Sequence, residues 1–170
     1  TEGFPNVRVI DAGGGLGVPE TIVHRGLDID AVENEMKKVK KAHPKLELWI
    51  EPGRFLVAEA GVILTRVTQL KQKRDNNYVG VDAGMNTLIR PALYGSYHEI
   101  VNLSRIDEEA KHLANIVGPI CESGDFLGHE RSIAEPGDGD ILLIGNAGAY
   151  GKVMSSNYNM RAPAEEIFLA

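Results

Sequence analysis

The sequence predicts an α/β segment followed by an all-β domain. Within the first 50 residues, a strand pattern, a helical pattern and a second strand pattern follow one another. This order and length are typical of one βαβ unit. Beyond residue 57 only short apolar runs remain, and polar turns separate them. Such runs favour antiparallel strands, so we expect one domain over residues 1–57 and another over residues 58–170.

The βαβ unit begins with a short apolar strand over residues 7–11. Asp30 and Glu33 have the spacing of a capping box, and Pro44 is expected to stop the helix. The second strand covers residues 46–50. Because parallel strands need neighbours on both edges and cover on both faces, we expect this segment to be the end of a larger α/β domain. The helical spacing is set by four apolar residues, Ile29, Val32, Met36 and Val39.

The second domain has turn-forming composition at residues 71–77 and 135–140. The last residues, 166–170, have the pattern of a further strand, cut short. Between the turns, strands are predicted at residues 62–70, 78–81, 100–103, 115–120 and 141–144.

Composition limits the classes of function. The chain has 170 residues, a net charge of -6 and 43% hydrophobic residues, as in a soluble globular protein. The negative charge argues against a nucleic-acid partner, and no apolar run has membrane-spanning length. A single cysteine excludes an intrachain disulfide and favours a reducing compartment such as the cytoplasm. The five histidines lack metal-ligand spacing, so we expect no metal.

Cys121 follows the apolar residues 116–120 in a glycine-flanked turn, with Glu122 directly behind it. A thiol can give up and regain a proton near neutral pH, so Cys121 is a candidate proton donor. The alternative is a small buried core residue, because free cysteine is among the most buried residue types.

Two further candidates follow the two predicted parallel strands. Residues 13–17 form a glycine-rich loop whose backbone N–H groups suit a phosphate, although a plain tight turn is an equal alternative. Val18 replaces the third glycine of a dinucleotide fingerprint. Glu51 and Arg54 lie where α/β folds place ligand-binding groups. Glu51 could pair with a cationic ring nitrogen and Arg54 with an anion, or both could belong to a surface turn.

In the second domain, Arg90 and Tyr94 could together hold a substrate carboxylate. The alternative is an exposed arginine beside a half-buried tyrosine. Tyr150 is the only large polar group in the small-residue loop 145–151, where a packed turn residue is the plainer interpretation.

In chain order, six motifs together resemble the C-terminal half of the diaminopimelate decarboxylase family, a group of fold-type III pyridoxal-phosphate enzymes related to ornithine and arginine decarboxylases. The resemblance implies the last units of a (β/α)8 TIM-like barrel followed by an antiparallel β-barrel or sandwich. The motifs are residues 11–19, 51–54, 82–86, 90–94, 118–125 and 148–150.

The resemblance also implies a cofactor, pyridoxal 5'-phosphate, and roles for the candidates. Gly13, Gly14 and Gly15 would hold its phosphate, Glu51 would pair with its pyridine nitrogen, and Gly53, Arg54 and Tyr150 would complete the cofactor site. Arg54, Arg90 and Tyr94 would bind the distal carboxylate of the amino-acid substrate, which Tyr150 also contacts. Cys121 would protonate the carbon that has lost CO2, and Glu122 would bind the distal amino group. The last two would act across a homodimer interface.

The function implied is the carboxy-lyase reaction that converts meso-2,6-diaminopimelate to L-lysine, the last step of lysine biosynthesis, in the cytoplasm or in a plastid if the source is a plant. The family's Schiff-base lysine and ring-stacking histidine have no counterpart here, so we expect the isolated chain to be inactive. Three alternatives are an ornithine- or arginine-type decarboxylase, a non-catalytic homologue acting by dimerisation, and a phosphate-sugar or acyl-binding domain. Arg90 favours a substrate with a carboxylate tail.

Overall fold

A computed structural model describes residues 4–21 and 23–169. The chain divides into two compact units, Thr1–Leu56 and Val57–Ala170. In the first unit, β1 (Val9–Asp11) pairs in parallel with β2 (Glu47–Trp49), and α1 (Ile29–Ala42) connects them. The strand–helix–strand order expected from the sequence is therefore confirmed.

Helix α1 begins two residues earlier than the predicted capping box implies. The carboxylate of Asp28 accepts a 2.9 Å hydrogen bond from the N–H of Ala31, and Asp30 lies inside the first turn. The prediction of Asp30 as the cap was wrong, because Ile29 is already helical and the side chain of Asp28 accepts from the free N–H of Ala31. The helix ends at Ala42, before Pro44, as predicted.

The second unit is built on a six-stranded sheet, whose strands are β3 (Ile63–Lys73), β4 (Asn76–Val81), β5 (Ile100–Asn102), β6 (His112–Val117), β7 (Phe126–Ile133) and β8 (Ile141–Ile144). They lie in the order β5-β8-β3-β4-β6-β7. A short helix, α3 (Arg90–Tyr94), follows β4 and ends at Gly95, whose φ of 64° is left-handed. A further helix, α2 (Gly53–Val57), lies at the boundary between the units.

The sheet is mixed rather than antiparallel, because β4 and β6 pair in parallel while the other neighbours are antiparallel. Between these two strands the chain passes through α3 and β5, and a connection of this length allows a crossover. The expectation of a purely antiparallel domain was wrong for this reason. The sheet also curls until its two edge strands meet. A Cβ at Gly128 of β7 would lie 2.9 Å from Cδ1 of Ile100 on β5.

Strand 141–144 is confirmed, but two predictions in this unit were wrong and one strand was not predicted. The polar turn at 71–77 is mostly hairpin strand, and only Arg74 and Asp75 lie between β3 and β4. Strand β7 was not predicted, because its sequence contains a glycine and four consecutive polar residues. Residues 166–169 form no strand, and Ala170 lies outside the described residues.

One hydrophobic core fills the inside of the curled sheet. Its members come from every strand, and α3 is preceded by one of them, Leu88, which is fully buried. Burial of these side chains is the main stabilising contribution to this unit. The largest fully buried apolar side chains are Leu88, Ile100, Ile116, Leu127, Ile133, Leu142 and Ile144.

Candidate active site

In the first unit, the glycine-rich loop is fixed to the end of β2. The N–H of Gly13 donates to the carboxylate of Asp11 at 2.8 Å, and the carbonyl of Gly13 accepts from the N–H of Glu51 at 2.8 Å. Gly13 and Gly15 have φ values of 69° and 82°, in the left-handed region that favours glycine. The loop therefore takes a backbone shape that few other residues could adopt.

Gly14 has a different requirement. A Cβ at this position would lie 2.6 Å from the carbonyl oxygen of Glu51, so the loop and the Glu51 turn are too close for any side chain. The N–H of Gly53 donates back to that same carbonyl at 2.8 Å, and Glu51 and Arg54 are both exposed. Backbone N–H groups and a guanidinium, which suit an anion, thus lie at the carboxyl end of two parallel strands together with a carboxylate, which suits a cationic group.

In the second unit, Arg90 lies between two aromatic rings. Its guanidinium carbon is 5.6 Å from the ring centre of Tyr94 and 5.4 Å from that of Tyr150, within the range of cation–π attraction. One guanidinium nitrogen also donates to Oγ of Ser96 at 3.3 Å. Tyr94 and Tyr150 remain 62% and 44% exposed, and Arg90 itself is half-buried, so the cluster offers a partly accessible positive group beside two exposed rings.

Tyr150 lies near Arg90 because backbone hydrogen bonds fix the loop after β8. The N–H of Ala147 donates to the carbonyl of Gly61 at 2.8 Å, and that of Gly148 donates to Ala58 at 3.0 Å. A Cβ on Gly148 would collide with the carbonyl oxygen of Val57. Tyr150 itself has a φ of 61°, a strained value for a bulky residue. The tight loop thus imposes the direction of the Tyr150 side chain.

Cys121 and Glu122 lie on the turn between β6 and β7. The N–H of Cys121 donates to Oδ1 of Asn159 at 2.7 Å, and the hydroxyl of Tyr158 donates to Oε2 of Glu122 at 3.1 Å. The thiol is exposed, so the interpretation of Cys121 as a core residue does not hold for this structure. The hydrogen bond to Glu122, together with the negative charges nearby, raises the pKa of Tyr158.

Asp125 organises this turn from inside. Its side chain is buried and accepts 2.6 Å hydrogen bonds from the N–H groups of Met85 and Ile120. Burial raises the pKa of the Asp125 carboxyl, although both N–H donors oppose the rise. Gly84 and Gly118 are required beside it, because a Cβ at either would contact the carboxylate oxygens.

Sequence reasoning missed the roles of Asp125, Tyr158 and Asn159. A buried aspartate in a turn gives a weak sequence signal, and the contacts of the other two join segments far apart in the chain. The structure groups Gly13, Gly14, Gly15, Glu51, Gly53 and Arg54 in the first unit. In the second unit it forms two clusters, one with Arg90, Tyr94 and Tyr150 and the other with Cys121 and Glu122.

Two features of the described residues concern metal ions and membranes. Within residues 4–21 and 23–169, no group of three or more histidine, cysteine or acidic side chains could hold a metal ion. In the same described ranges, no helix has the length and apolar character needed to cross a membrane.

The chain is similar to known proteins over most of its length. Relatives include the diaminopimelate decarboxylases of Neisseria meningitidis serogroup A, 47% identical over 94% of this chain and 38% of the relative, and of Aquifex aeolicus, 42% identical over 99% and 39%. The chain therefore spans less than two-fifths of the length of these relatives.

Solved structures give the same picture. An Aquifex aeolicus protein matches with a TM-score of 0.84 and 41% identity, over 92% of this chain and 38% of its own. Diaminopimelate decarboxylase from M. jannaschii in complex with L-lysine matches with a TM-score of 0.80 and 37% identity, over 95% and 38%. The family model described as the C-terminal sheet domain of pyridoxal-dependent decarboxylases matches residues 9–148. The chain belongs to this family of pyridoxal-dependent decarboxylases.

Proposed function

We propose that this chain forms the C-terminal part of a decarboxylase that converts meso-2,6-diaminopimelate to L-lysine. The observation that carries the proposal is the placement of Arg90 between the exposed rings of Tyr94 and Tyr150. A planar guanidinium binds a carboxylate through two parallel hydrogen bonds. Arg90 therefore suits a substrate that keeps a second carboxylate after the reaction, as diaminopimelate does and ornithine does not.

The residues of the first unit fit the phosphate and ring of pyridoxal 5'-phosphate. Gly13 and Gly15 have left-handed backbone conformations, and Gly14 has no room for a side chain. Without side chains, the backbone of this loop can lie close to a ligand at the carboxyl ends of the strands. Gly53 and Arg54 follow on the neighbouring strand end, and Glu51 presents a carboxylate suited to a protonated ring nitrogen. When bound, the cofactor supplies an electron sink for the carbon that loses CO2.

The parallel pair of β1 and β2, joined by α1, supports the proposal that residues 1–57 end a (β/α)8 barrel and residues 58–170 form the β domain. Barrel enzymes carry their ligand-binding residues at the carboxyl ends of the strands. The glycine loop follows β1 at this end, and Glu51 follows β2.

The reaction breaks one C–C bond, releases CO2 and places a proton on the same carbon. Cys121 is the proposed proton donor; it is exposed and directly precedes Glu122 on one turn. Glu122 then binds the distal ammonium, while Arg90, Tyr94 and Tyr150 contact the substrate. The roles of Arg54 toward the substrate and of Tyr150 toward the cofactor stay predictions. We further propose that Cys121 and Glu122 act in the active site of the partner subunit of a homodimer. The cytoplasmic or plastid location remains a prediction.

A chimera tests the proposal. Residues 1–170 replace the matching part of the Neisseria meningitidis relative, so that the remaining length of the enzyme is supplied. We expect CO2 release from meso-diaminopimelate and little from ornithine or arginine, whereas the isolated chain releases none. A chimera that folds and binds pyridoxal phosphate but prefers ornithine, or releases no CO2 from any of the three, would overturn the proposal.

A further inference from the structure

Tyr158 and Asn159 contact the turn that carries Cys121 and Glu122. We propose that these two residues are positioning residues, Asn159 for the backbone of the proton donor and Tyr158 for the carboxylate that receives the substrate ammonium. This inference rests on the proposed function and extends it to residues with no role so far. Tyr158 lies in a short turn, Tyr158–Met160, that closes with a 2.8 Å hydrogen bond from the N–H of Met160 to the carbonyl of Asn157.

Asn159 acts on the cysteine backbone. Its side-chain oxygen accepts from the N–H of Cys121 at 2.7 Å, across 38 residues of sequence. Asn159 has φ 54° and ψ 25°, a left-handed conformation that asparagine tolerates better than most residues. Asparagine at this position therefore supplies an acceptor for the N–H of Cys121 and also tolerates the left-handed backbone conformation.

Tyr158 acts on the carboxylate of Glu122. Its hydroxyl holds Oε2 at 3.1 Å, while Oε1 has only a long contact of 3.5 Å to the N–H of Gly124. A carboxylate has acceptor capacity on both oxygens. With one oxygen held by Tyr158, the carboxylate has a fixed orientation, and the other oxygen remains available for an ammonium group.

The segment that carries both residues is itself fixed, on either side, by Asn86. The N–H of Ser156 donates to the carbonyl of Asn86 at 2.8 Å, and the side-chain amide of Asn86 donates to the carbonyls of Arg161 and Ala162 at 3.2 and 3.3 Å. Asn86 is only 3% exposed. A buried residue therefore anchors the segment before Tyr158 and after Asn159, which gives these two side chains a rigid base.

Kinetics of the chimera separate the two roles. We expect Tyr158→Phe to raise KM for diaminopimelate roughly tenfold with kcat nearly unchanged, the loss typical of a hydrogen bond to a charged group. We expect Asn159→Gly, which suits the left-handed backbone but removes the acceptor, to lower kcat roughly tenfold, and Asn159→Asp, which keeps an acceptor, to restore most of it. Equal changes in KM and kcat for both residues, or no rescue by Asn159→Asp, would indicate a structural role only and overturn the proposal.

A second readout needs no activity. Tyr158 is one of five tyrosines, so the difference between the ultraviolet pH titrations of the chain and its Tyr158→Phe variant isolates its ionisation. Because the carboxylate of Glu122 raises the pKa of Tyr158, Glu122→Gln should shift this titration to lower pH. An unchanged titration would reject the contact and the proposal with it. A clear shift in the chain, combined with an inactive but folded chimera, would instead reject the proposed function and the substrate role derived from it.

Discussion

A carboxylate oxygen of Asp125 accepts a 2.6 Å hydrogen bond from the backbone N–H of Met85, 40 residues earlier in the chain. The second oxygen accepts from Ile120 at the same distance. One buried side chain therefore joins the turn that carries Cys121 to the loop that follows β4. Placement of Cys121 and Glu122 depends on this side chain although it contacts neither of theirs.

Replacing Asp125 with asparagine should lower the free energy of unfolding by about 2–4 kcal/mol, because an amide N–H group would then face a backbone N–H donor inside the protein. Urea unfolding followed by circular dichroism measures the change. Gly124→Ala is a matched control, since a Cβ there meets open space. Equal stability of Asp125→Asn and the native chain would contradict the structural role.

The contribution of Asp125 to the free energy of unfolding should also depend on pH. Its native pKa is raised, so between the ordinary aspartate range near pH 4 and the raised value the folded chain binds more protons than the unfolded chain. Stability from this group is therefore greatest at low pH and falls as the pH rises through that window. The stability difference between the native chain and Asp125→Asn should shrink over the same range, and a difference that grows would contradict the assignment.

Asp140 should show the opposite pH dependence. Burial pushes its pKa upward, but hydrogen bonds from Asn102, the N–H of Gly137 and Arg105 outweigh burial and lower the pKa. The stabilisation is present above about pH 4 and is lost as the pH falls through the lowered value. Urea unfolding of the native chain at neutral and acidic pH measures this loss of stability.

At neutral pH, Asp140→Ala should lower the free energy of unfolding by about 2 kcal/mol, since three donors lose their acceptor. Glu108→Ala is the control. Glu108 bonds the same arginine, Arg105, at 3.3 Å but is 52% exposed, so its removal should change stability by less than about 0.5 kcal/mol. Equal losses from the two variants would show that the interior contacts of Asp140 contribute nothing beyond a surface ion pair.

Arg90→Lys should separate substrate binding from cofactor binding. Lysine keeps the charge but loses the planar, two-pronged geometry, so KM of the chimera for diaminopimelate should rise roughly tenfold or more. Affinity for pyridoxal phosphate, measured by absorption titration, should stay the same. If Arg90→Lys or Arg90→Ala weakened cofactor binding as much as turnover, the substrate role of Arg90 would be withdrawn.

Gly14→Ala should weaken binding of pyridoxal phosphate to the chimera roughly tenfold or more. A methyl group at Gly14 must displace the carbonyl of Glu51, since neither backbone segment can yield without moving the site. Gly17→Ala in the same loop meets open space and should bind normally. Normal binding by Gly14→Ala would remove this loop from the proposed cofactor site.

Much of the fold followed from apolar pattern alone, and the errors share a cause. Strand β8 and the βαβ order were predicted because their apolar residues are contiguous and bounded by turn residues. The far half of β3 is exposed and polar, so nothing in its composition separates strand from turn. Strand β7 has Glu130 at a φ of 47°, within a stretch of irregular register, and this breaks the alternation that marks a strand.

In the candidate site, Arg90, Tyr94 and Cys121 were identified because their residue types imply chemistry, and their roles stay predictions. The residues that contact the candidate residues were not predicted. The hydrogen bond from Tyr158 to Glu122 joins positions 36 residues apart, and Tyr158 lies in a segment without a long helix or strand. Only the folded backbone brings such residues together, so no local pattern could indicate the contact.

The central position of β3 has a consequence for biosynthesis. One side of β3 pairs with β4, which follows directly in the chain. The other side pairs with β8, much later in the chain, where Ile63 lies opposite Ile144. As the ribosome delivers the chain, that side of β3 stays unpaired until almost the whole unit has emerged. Late, long-range pairing slows folding, and an unpaired strand edge is a site where two nascent chains can associate.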